Sequence, residues 1–451
     1  MRMRPWLLLS TYFLPLRCAL PPLPFWSAPP LDASKPLAGL PQLPNVSSSI
    51  LFYGSAAQGD YNHGAMLAYH EGAVTVSWKN GEGTLPEDAP GQRVRYTQTT
   101  DGRSWSPPAL LFPSLSTAEL PTALFAGPFA VLNSRLYASA TPGLVQHGDA
   151  QGSQFCLWPD GLDKRNAGPP QQPQPVGVLL LRRILDARGG LGPMFWAANA
   201  TPAGFAPASI AAGILTANET DAQTQSDVFS AGFSAAMAAL PCGDPATSGT
   251  LKCEACLHGC QDFERLTSSP AGLAIANERS HWTVPLATPQ WGGADVLVYR
   301  SKANALLAAV RPAGQREWGS DVAALTHFPN DNSNINAGAV ASEGGGGVFL
   351  VSNALPRSMR DPLVLALSQD GFNFSRAFAI ASCAALPGLN STCTGRHGKN
   401  GNGPSYPQAL TVIDPAPPQL QGMWVVSTNN KEDVLLTRFP HSALLARQDR
   451  G

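Results

Sequence analysis

Charge is what this 451-residue chain has least of: 14% of its residues are Asp, Glu, Lys or Arg, and they nearly cancel to a net charge of -1. Without a basic excess, nucleic-acid binding is excluded as the expected role. Scarce charge beside 43 glycines and 42 prolines excludes long solvated helices. Outside the extreme N-terminus no apolar run approaches the length of a membrane-crossing helix, so no membrane span is expected in the mature chain. Cys253-x-x-Cys256 lacks a second well-spaced pair, and His258 alone does not complete a zinc set, so neither metal nor cofactor is expected.

What the chain has instead is a succession of short strand-like segments. "GAVTVSW" (72–78), "RVRYTQ" (93–98), "RLYASA" (135–140), "VGVLLLRRI" (176–184), "DVLVYRS" (295–301), "NALLAAV" (304–310), "GVFLVSN" (347–353), "LVLALS" (363–368) and "GMWVVSTN" (422–429) are apolar or alternating. Turns such as "NGEG", "TPQWGG" and "SEGGGG" separate them.

One turn recurs. "TQTTDGRSWS" and "ALSQDGFNFS" align Thr99, Asp101, Gly102, Trp105 and Ser106 with Ser368, Asp370, Gly371, Phe374 and Ser375. Glycine takes positive φ after an aspartate that binds nearby amides, and the aromatic packs beneath. A degraded third copy reads "VRPAGQREWGSD", with Gly314 and Trp318. Short strands with a repeated turn predict an all-β fold, a β-propeller.

The N-terminus has two arginines before a short apolar stretch and then small residues, as in a secretory signal peptide over residues 1–19. A Pro-rich lead-in over 20–44 follows, then the propeller over 45–442 and a tail over 443–451. Sequons begin at Asn45, Asn199, Asn218, Asn373 and Asn390. Cys242, Cys253, Cys256 and Cys260 cluster, and read as disulfides stapling a surface insert over 217–270; Cys383 with Cys393 closes another loop. If Cys18 leaves with the leader, seven cysteines remain, Cys156 among them, so one thiol is unpaired or bridges to another chain. A secreted, glycosylated monomer is expected.

The repeated turns resemble the Asp-box, Ser-x-Asp-x-Gly-x-x-Trp, of the sialidase-like superfamily, with Gly here directly after Asp. The succession "FPNDNSNINAGAVASEGGGGVFLVSN", "RDPLVLALSQDGFNFSRAF" and "SYPQAL…MWVVSTNNKEDVLLTRF" resembles secreted six-bladed exo-sialidase-like proteins, as does "EDAPGQRVRY". The resemblance covers residues 51–439. It implies a six-bladed propeller of sialidase type, three arginines on a substrate carboxylate, a tyrosine nucleophile assisted by a glutamate, and an aspartate acid/base. A planar guanidinium matches a carboxylate with two parallel bonds. A phenol activated by a carboxylate attacks a cationic anomeric carbon without carrying a full negative charge of its own. The first blade lacks the Phe/Tyr-Arg-Ile-Pro motif that carries the first arginine, and reads "GDYNHGAMLAYHEGAVTVSW", with Tyr61, His63 and His70.

Candidate residues follow. Tyr406, in a Gly-rich loop, matches a late-blade nucleophile. Glu278 in "NERSHW" is its candidate assistant, and Arg279 and His281 beside it are candidate anion binders. Arg300 at a strand end and Arg360 before the next blade are candidate anion anchors, and Asn334 and Asn336 are candidates for sugar hydroxyls. Lys431 in "NNKEDV" sits near a strand end, where an exposed closing turn is the default expectation. His63 is a candidate base or acid. The leading expectation is a glycoside hydrolase acting on a terminal acidic sugar. The rivals are a propeller lyase acting at uronic acids through His63, a tyrosine and an arginine, and a non-catalytic glycan binder. In each case the expected partner is a glycan.

Overall fold

The computed structural model describes residues 25–85, 89–117, 122–127, 129–132, 135–146, 155–157, 181–186, 188–196, 214–215, 275–301, 304–314, 324–331, 333–340, 347–355, 360–383, 395, 403–413 and 415–445. Nearly all ordered structure in them is β. Strands β2 (Tyr61–His70), β3 (Ala73–Gly81), β4 (Arg93–Thr99) and β5 (Ala109–Phe112) form one antiparallel meander in sequence order. Further meanders comprise β13 (Ile275–Thr283), β14 (Asp295–Ser301), β15 (Ala305–Arg311) and β16 (Ala324–Pro329), and then β17 (Asn336–Ala339), β18 (Val348–Asn353), β19 (Leu363–Ser368) and β20 (Phe374–Ala381).

A larger sheet runs β12 (Ile214–Leu215), β11 (Leu191–Trp196), β10 (Leu181–Leu185), β8 (Arg135–Gln146), β6 (Thr122–Ala126). In that sheet β7 (Ala130–Leu132) and β9 (Phe155–Leu157) also pair with β8. The last sheet joins the two ends of the chain. Strands β21 (Pro404–Val412), β22 (Gly422–Asn429) and β23 (Asp433–Phe439) are completed by β1 (Ser47–Phe52), antiparallel to β23. A short helix α1 (His441–Leu445) follows. Among the described residues no helix is long and apolar enough to cross a membrane.

The sheets stand side by side, and their first strands touch in the order β6, β2, β21, β17, β13. Apolar clusters fill the spaces between faces. Val76 and Trp78 of the first meander pack with Phe52, Val426 and Val434 of the last sheet. Trp282, Val296 and Val298 pack with Leu350, Ala366 and Phe374. These strands bury both faces, which is why they read as apolar runs rather than clean alternation. The chain is thus all-β with propeller-like stacking, and five sheets lie among the described residues. The sixth blade and the Cys242–Cys260 insert expected from the sequence fall outside the described residues.

The lead-in is anchored as well as irregular. Phe374 N donates to Phe25 O (3.0 Å) and Ala379 N to Pro41 O (2.9 Å), so residues 25–43 run along β20 and cover that sheet's outer edge.

Both Asp-Gly turns link the third and fourth strands of their sheets, at the end of the sheet order remote from the first strand. Their bonding is the same. Asp101 Oδ1 accepts from Arg103 N and Ser104 N (2.7 Å each), and Gly102 N donates to Thr99 Oγ1 (2.9 Å). Asp370 Oδ1 accepts from Phe372 N (2.8 Å) and Asn373 N (2.7 Å), and Gly371 N donates to Ser368 Oγ (2.9 Å). Asp186 accepts from Arg188 N (2.8 Å) and Gly190 N (2.7 Å) in the turn between β10 and β11.

Candidate active site

The site is built where the first strands end. Two backbone irregularities aim its side chains. In β2 the pairing with β3 slips between His63 and Met66, with Gly64 at φ 56°. In β21 it slips between Ser405 and Gln408, and Tyr406 itself sits at φ 56°. Bulges re-aim side chains, and a tyrosine in the left-handed region is strained. Together they bring the His63 and Tyr406 rings into a T-shaped contact at 4.0 Å between centroids. His63 Nδ1 lies 3.5 Å from Thr428 Oγ1.

Cations gather on the same phenol. Arg300 Nη1, at the end of β14, donates to the Tyr406 hydroxyl at 3.3 Å. The Arg360 guanidinium lies over the Tyr406 ring at 4.9 Å from its centroid, within cation–π range. Its Nη1 is buried and has no hydrogen-bond partner among the described residues. Lys431 Nζ lies 5.6 Å from the same centroid. Tyr406 is itself 5% exposed. Four candidates spread along the sequence, His63, Arg300, Arg360 and Lys431, therefore meet at a fifth, Tyr406.

Lys431 does not lie in an exposed closing turn: Asn430, Lys431, Glu432 and Asp433 are all buried. "NERSHW" runs within β13, with Trp282 in the core. The β13–β14 register is broken between Ile275 and Arg279, and Arg279 pairs with Tyr299. The backbone of Glu278 therefore runs alongside Arg300. The side chains of Glu278, Arg279 and His281 lie outside the described residues, as do Asn199, Asn218, Asn390, Cys242, Cys253, Cys256, Cys260 and Cys393.

Two candidate asparagines are engaged in the framework. Asn336 Nδ2 donates to Gln408 Oε1 (3.1 Å), and its Oδ1 accepts from Ala409 N (3.0 Å), tying β17 to β21. Asn334 is buried, and its Oδ1 accepts from Ile335 N (2.7 Å).

The bracing that sequence reasoning missed is also asparagine. Asn353, fully buried at the end of β18, donates through Nδ2 to Arg360 O (2.9 Å) and Pro404 O (2.8 Å) and accepts from Ser333 Oγ (2.8 Å). One amide thus holds the backbones leading to Arg360 and Tyr406. Asn62 Oδ1 accepts from Trp78 Nε1 (3.0 Å) and Asn80 Nδ2 (2.8 Å), while its Nδ2 donates to Gly59 O (3.2 Å) and Glu432 O. The readable signal was that β18 and β22 both end in a hydroxyl residue followed by asparagine. Asp361, next to Arg360, has its carboxyl pushed up by burial, against donation from Cys383 N and Ser382 Oγ. Lys79, opposite His63 in the β2–β3 pairing, is buried, its Nζ 3.7 Å from the Phe125 ring centroid.

No family model and no curated protein matches the chain. Solved structures do. One described as a sialidase superposes with a TM-score of 0.62 at 18% identity, over 93% of this chain and 35% of that one. The sialidase of Trypanosoma rangeli gives 0.44 at 12% identity, over 89% of this chain and 60% of that one. The K499G mutant of NanB sialidase from Streptococcus pneumoniae gives 0.44 at 10% identity, over 91% and 72%. The chain spans about a third of the length of the first of these and 60% of the second. The likeness is one of fold, that of the sialidase-like β-propellers.

Proposed function

We propose that the protein is a secreted, glycosylated, six-bladed propeller that hydrolyses a terminal acidic sugar from glycans, as exo-sialidases do. One observation carries this reading: two guanidiniums, one at the end of β14 and one in the segment before β19, converge on Tyr406, one on its hydroxyl and one over its ring with a buried donor to spare. Such a pair suits a planar carboxylate. Tyr406 Oη attacks the anomeric carbon as the glycosidic bond breaks, Glu278, whose backbone passes Arg300, takes the phenolic proton, and the aglycone oxygen leaves with a proton from the acid/base aspartate. Water then releases the sugar and restores the phenol. The acid/base aspartate of this mechanism is not assigned to a described residue. The repeated turns are read as Asp-boxes, and the Cys242–Cys260 cluster and the Cys383–Cys393 pair as disulfides. Asn45 and Asn373 are exposed, in keeping with glycan attachment.

A second reading has its own observation, the His63–Tyr406 contact at 4.0 Å. Tyrosine, histidine and an arginine at one point also suit β-elimination at a uronic acid, with the arginine neutralising the carboxylate while a base removes the adjacent proton. The test is release of 4-methylumbelliferone from its N-acetylneuraminic acid glycoside. Hydrolysis by the wild type, abolished in Tyr406→Phe, is expected. Ultraviolet absorbance of an unsaturated uronide, lost in His63→Ala, establishes the lyase instead. Glycan binding with neither product leaves a binding propeller.

A further inference from the structure

The turn between β22 and β23 is costly in two ways, and both point to the side chain it carries. Asn430 and Lys431 lie at φ 56° and 59°, and Glu432 N donates to Asn429 O (2.9 Å). This is a type I′ turn, whose second central position favours glycine because a Cβ there crowds the backbone. Here that position holds a lysine. The turn is also buried, with Lys431 8% exposed, although charged turn residues ordinarily stay in water.

Its placement is held from three directions. Asn62 N donates to Lys431 O (2.8 Å), and Asn62 Nδ2 donates to Glu432 O. Gly403 N donates to Asn430 Oδ1 (2.7 Å), and Asn430 N returns a bond to Gly403 O (3.1 Å), three residues before Tyr406. Gly54 N donates to Asp433 Oδ1 (2.9 Å). Asn62, on the first-blade strand, uses its two oxygen lone pairs and both amide protons within the protein, so it anchors the turn and does not reach a ligand. The result is an ammonium 5.6 Å from the Tyr406 ring, with Arg360 at 4.9 Å and Arg300 on the hydroxyl.

We propose that Lys431 is the third cation of the site, delivered from the last hairpin rather than from the first blade. It selects ligands bearing a sugar carboxylate together with Arg300 and Arg360, and Asn62 is its positioning residue. This rests on the acidic-sugar reading above. A compact ammonium adds a point charge where two planar forks already fix orientation, so it reads charge more than shape.

The experiment measures binding of N-acetylneuraminic acid, glucuronic acid and their methyl esters by titration calorimetry, with thermal melts in parallel. Glycine relieves the turn, so Lys431→Gly is expected to melt at the wild-type temperature or above it. Its affinity for the acids is expected to fall about tenfold or more, the effect of losing one bond to a charged group. Affinity for the esters should stay level, Lys431→Arg should retain most acid binding, and Asn62→Ala should weaken acid binding in the same ester-insensitive way. Wild-type acid binding that survives Lys431→Gly overturns the third-cation assignment and leaves the acidic-sugar reading standing. So does a Lys431→Gly protein that melts lower with unchanged binding. If neither acid binds the wild type, both readings fall.

Discussion

At the scale of single residues, Asn353 illustrates how the site is ordered without charge. Its amide is enclosed, and Ser333 Oγ, Arg360 O and Pro404 O all bond to it. Asn353→Ala leaves those buried groups without a partner, and the expected loss is about 3 kcal/mol. Asn353→Asp turns a donor into an acceptor facing two carbonyl oxygens and should cost at least as much. Urea unfolding of both variants checks the order, and equal stability of Asn353→Asp and wild type would refute it. Several site residues were readable one by one, because arginine at a strand end and tyrosine just after a Gly-rich stretch are unusual, although Tyr406 lies within β21 and not in a loop. Their convergence was not readable. It depends on bulges at His63–Met66 and Ser405–Gln408 and on positive φ at Tyr406, which no side-chain pattern announces.

At the scale of elements, the Asp-Gly turns brace neighbouring sheets. Trp282 Nε1 donates to Gly371 O and Thr288 Oγ1 to Asp370 O (3.0 Å each), joining β13–β16 to β17–β20. The first turn stands against Trp424, with Trp105 edge-on at 6.2 Å. Both aspartates have carboxyls held below the ordinary value of 3.8. For Asp101 the cause is the amides of Arg103 and Ser104. For Asp370 burial acts the other way but is outweighed by the amides of Asn373 and Phe372 and the Ser368 hydroxyl. A depressed carboxyl stabilises the fold at every pH above its unfolded value and loses that contribution as pH falls through its folded value. Asp370→Ala should therefore lower the melting temperature most at neutral pH. The gap to wild type should narrow as the pH drops below 3.8, and a pH-independent gap would contradict the assignment.

Strands β14, β19 and β22 match their sequence segments residue for residue, since short apolar runs between turns are the plainest signal of all. Strand β2 was not readable, because Gly64 and its bulge interrupt the period. Nor was β13, because "NERSHW" carries polar residues where a core strand would carry apolar ones.

At the scale of the whole molecule, order depends on contacts between the ends of the chain. The segment over 25–43 covers the edge of β20, and β1 completes the last sheet. Removing residues 1–44 leaves β1 in place and exposes the β20 edge. The expected result is a folded protein that melts lower and self-associates, read by differential scanning fluorimetry and size-exclusion chromatography. Removing residues 1–53 also takes away β1, and the sharp cooperative melt should be lost. A protein that stays monomeric and equally stable after the shorter deletion would show that the lead-in is dispensable. The propeller class was legible from recurring turns. The closure was not, because nothing local in "SSSILF" specifies a partner almost four hundred positions away.

That closure sets a schedule for biogenesis. Ser48 and Thr437 meet across a separation of 389 residues, so the last sheet cannot form until its final hairpin has left the ribosome. The same hairpin and the strand before it carry Lys431 and Tyr406. A chain released early would therefore lack its seam together with the residues proposed for its chemistry.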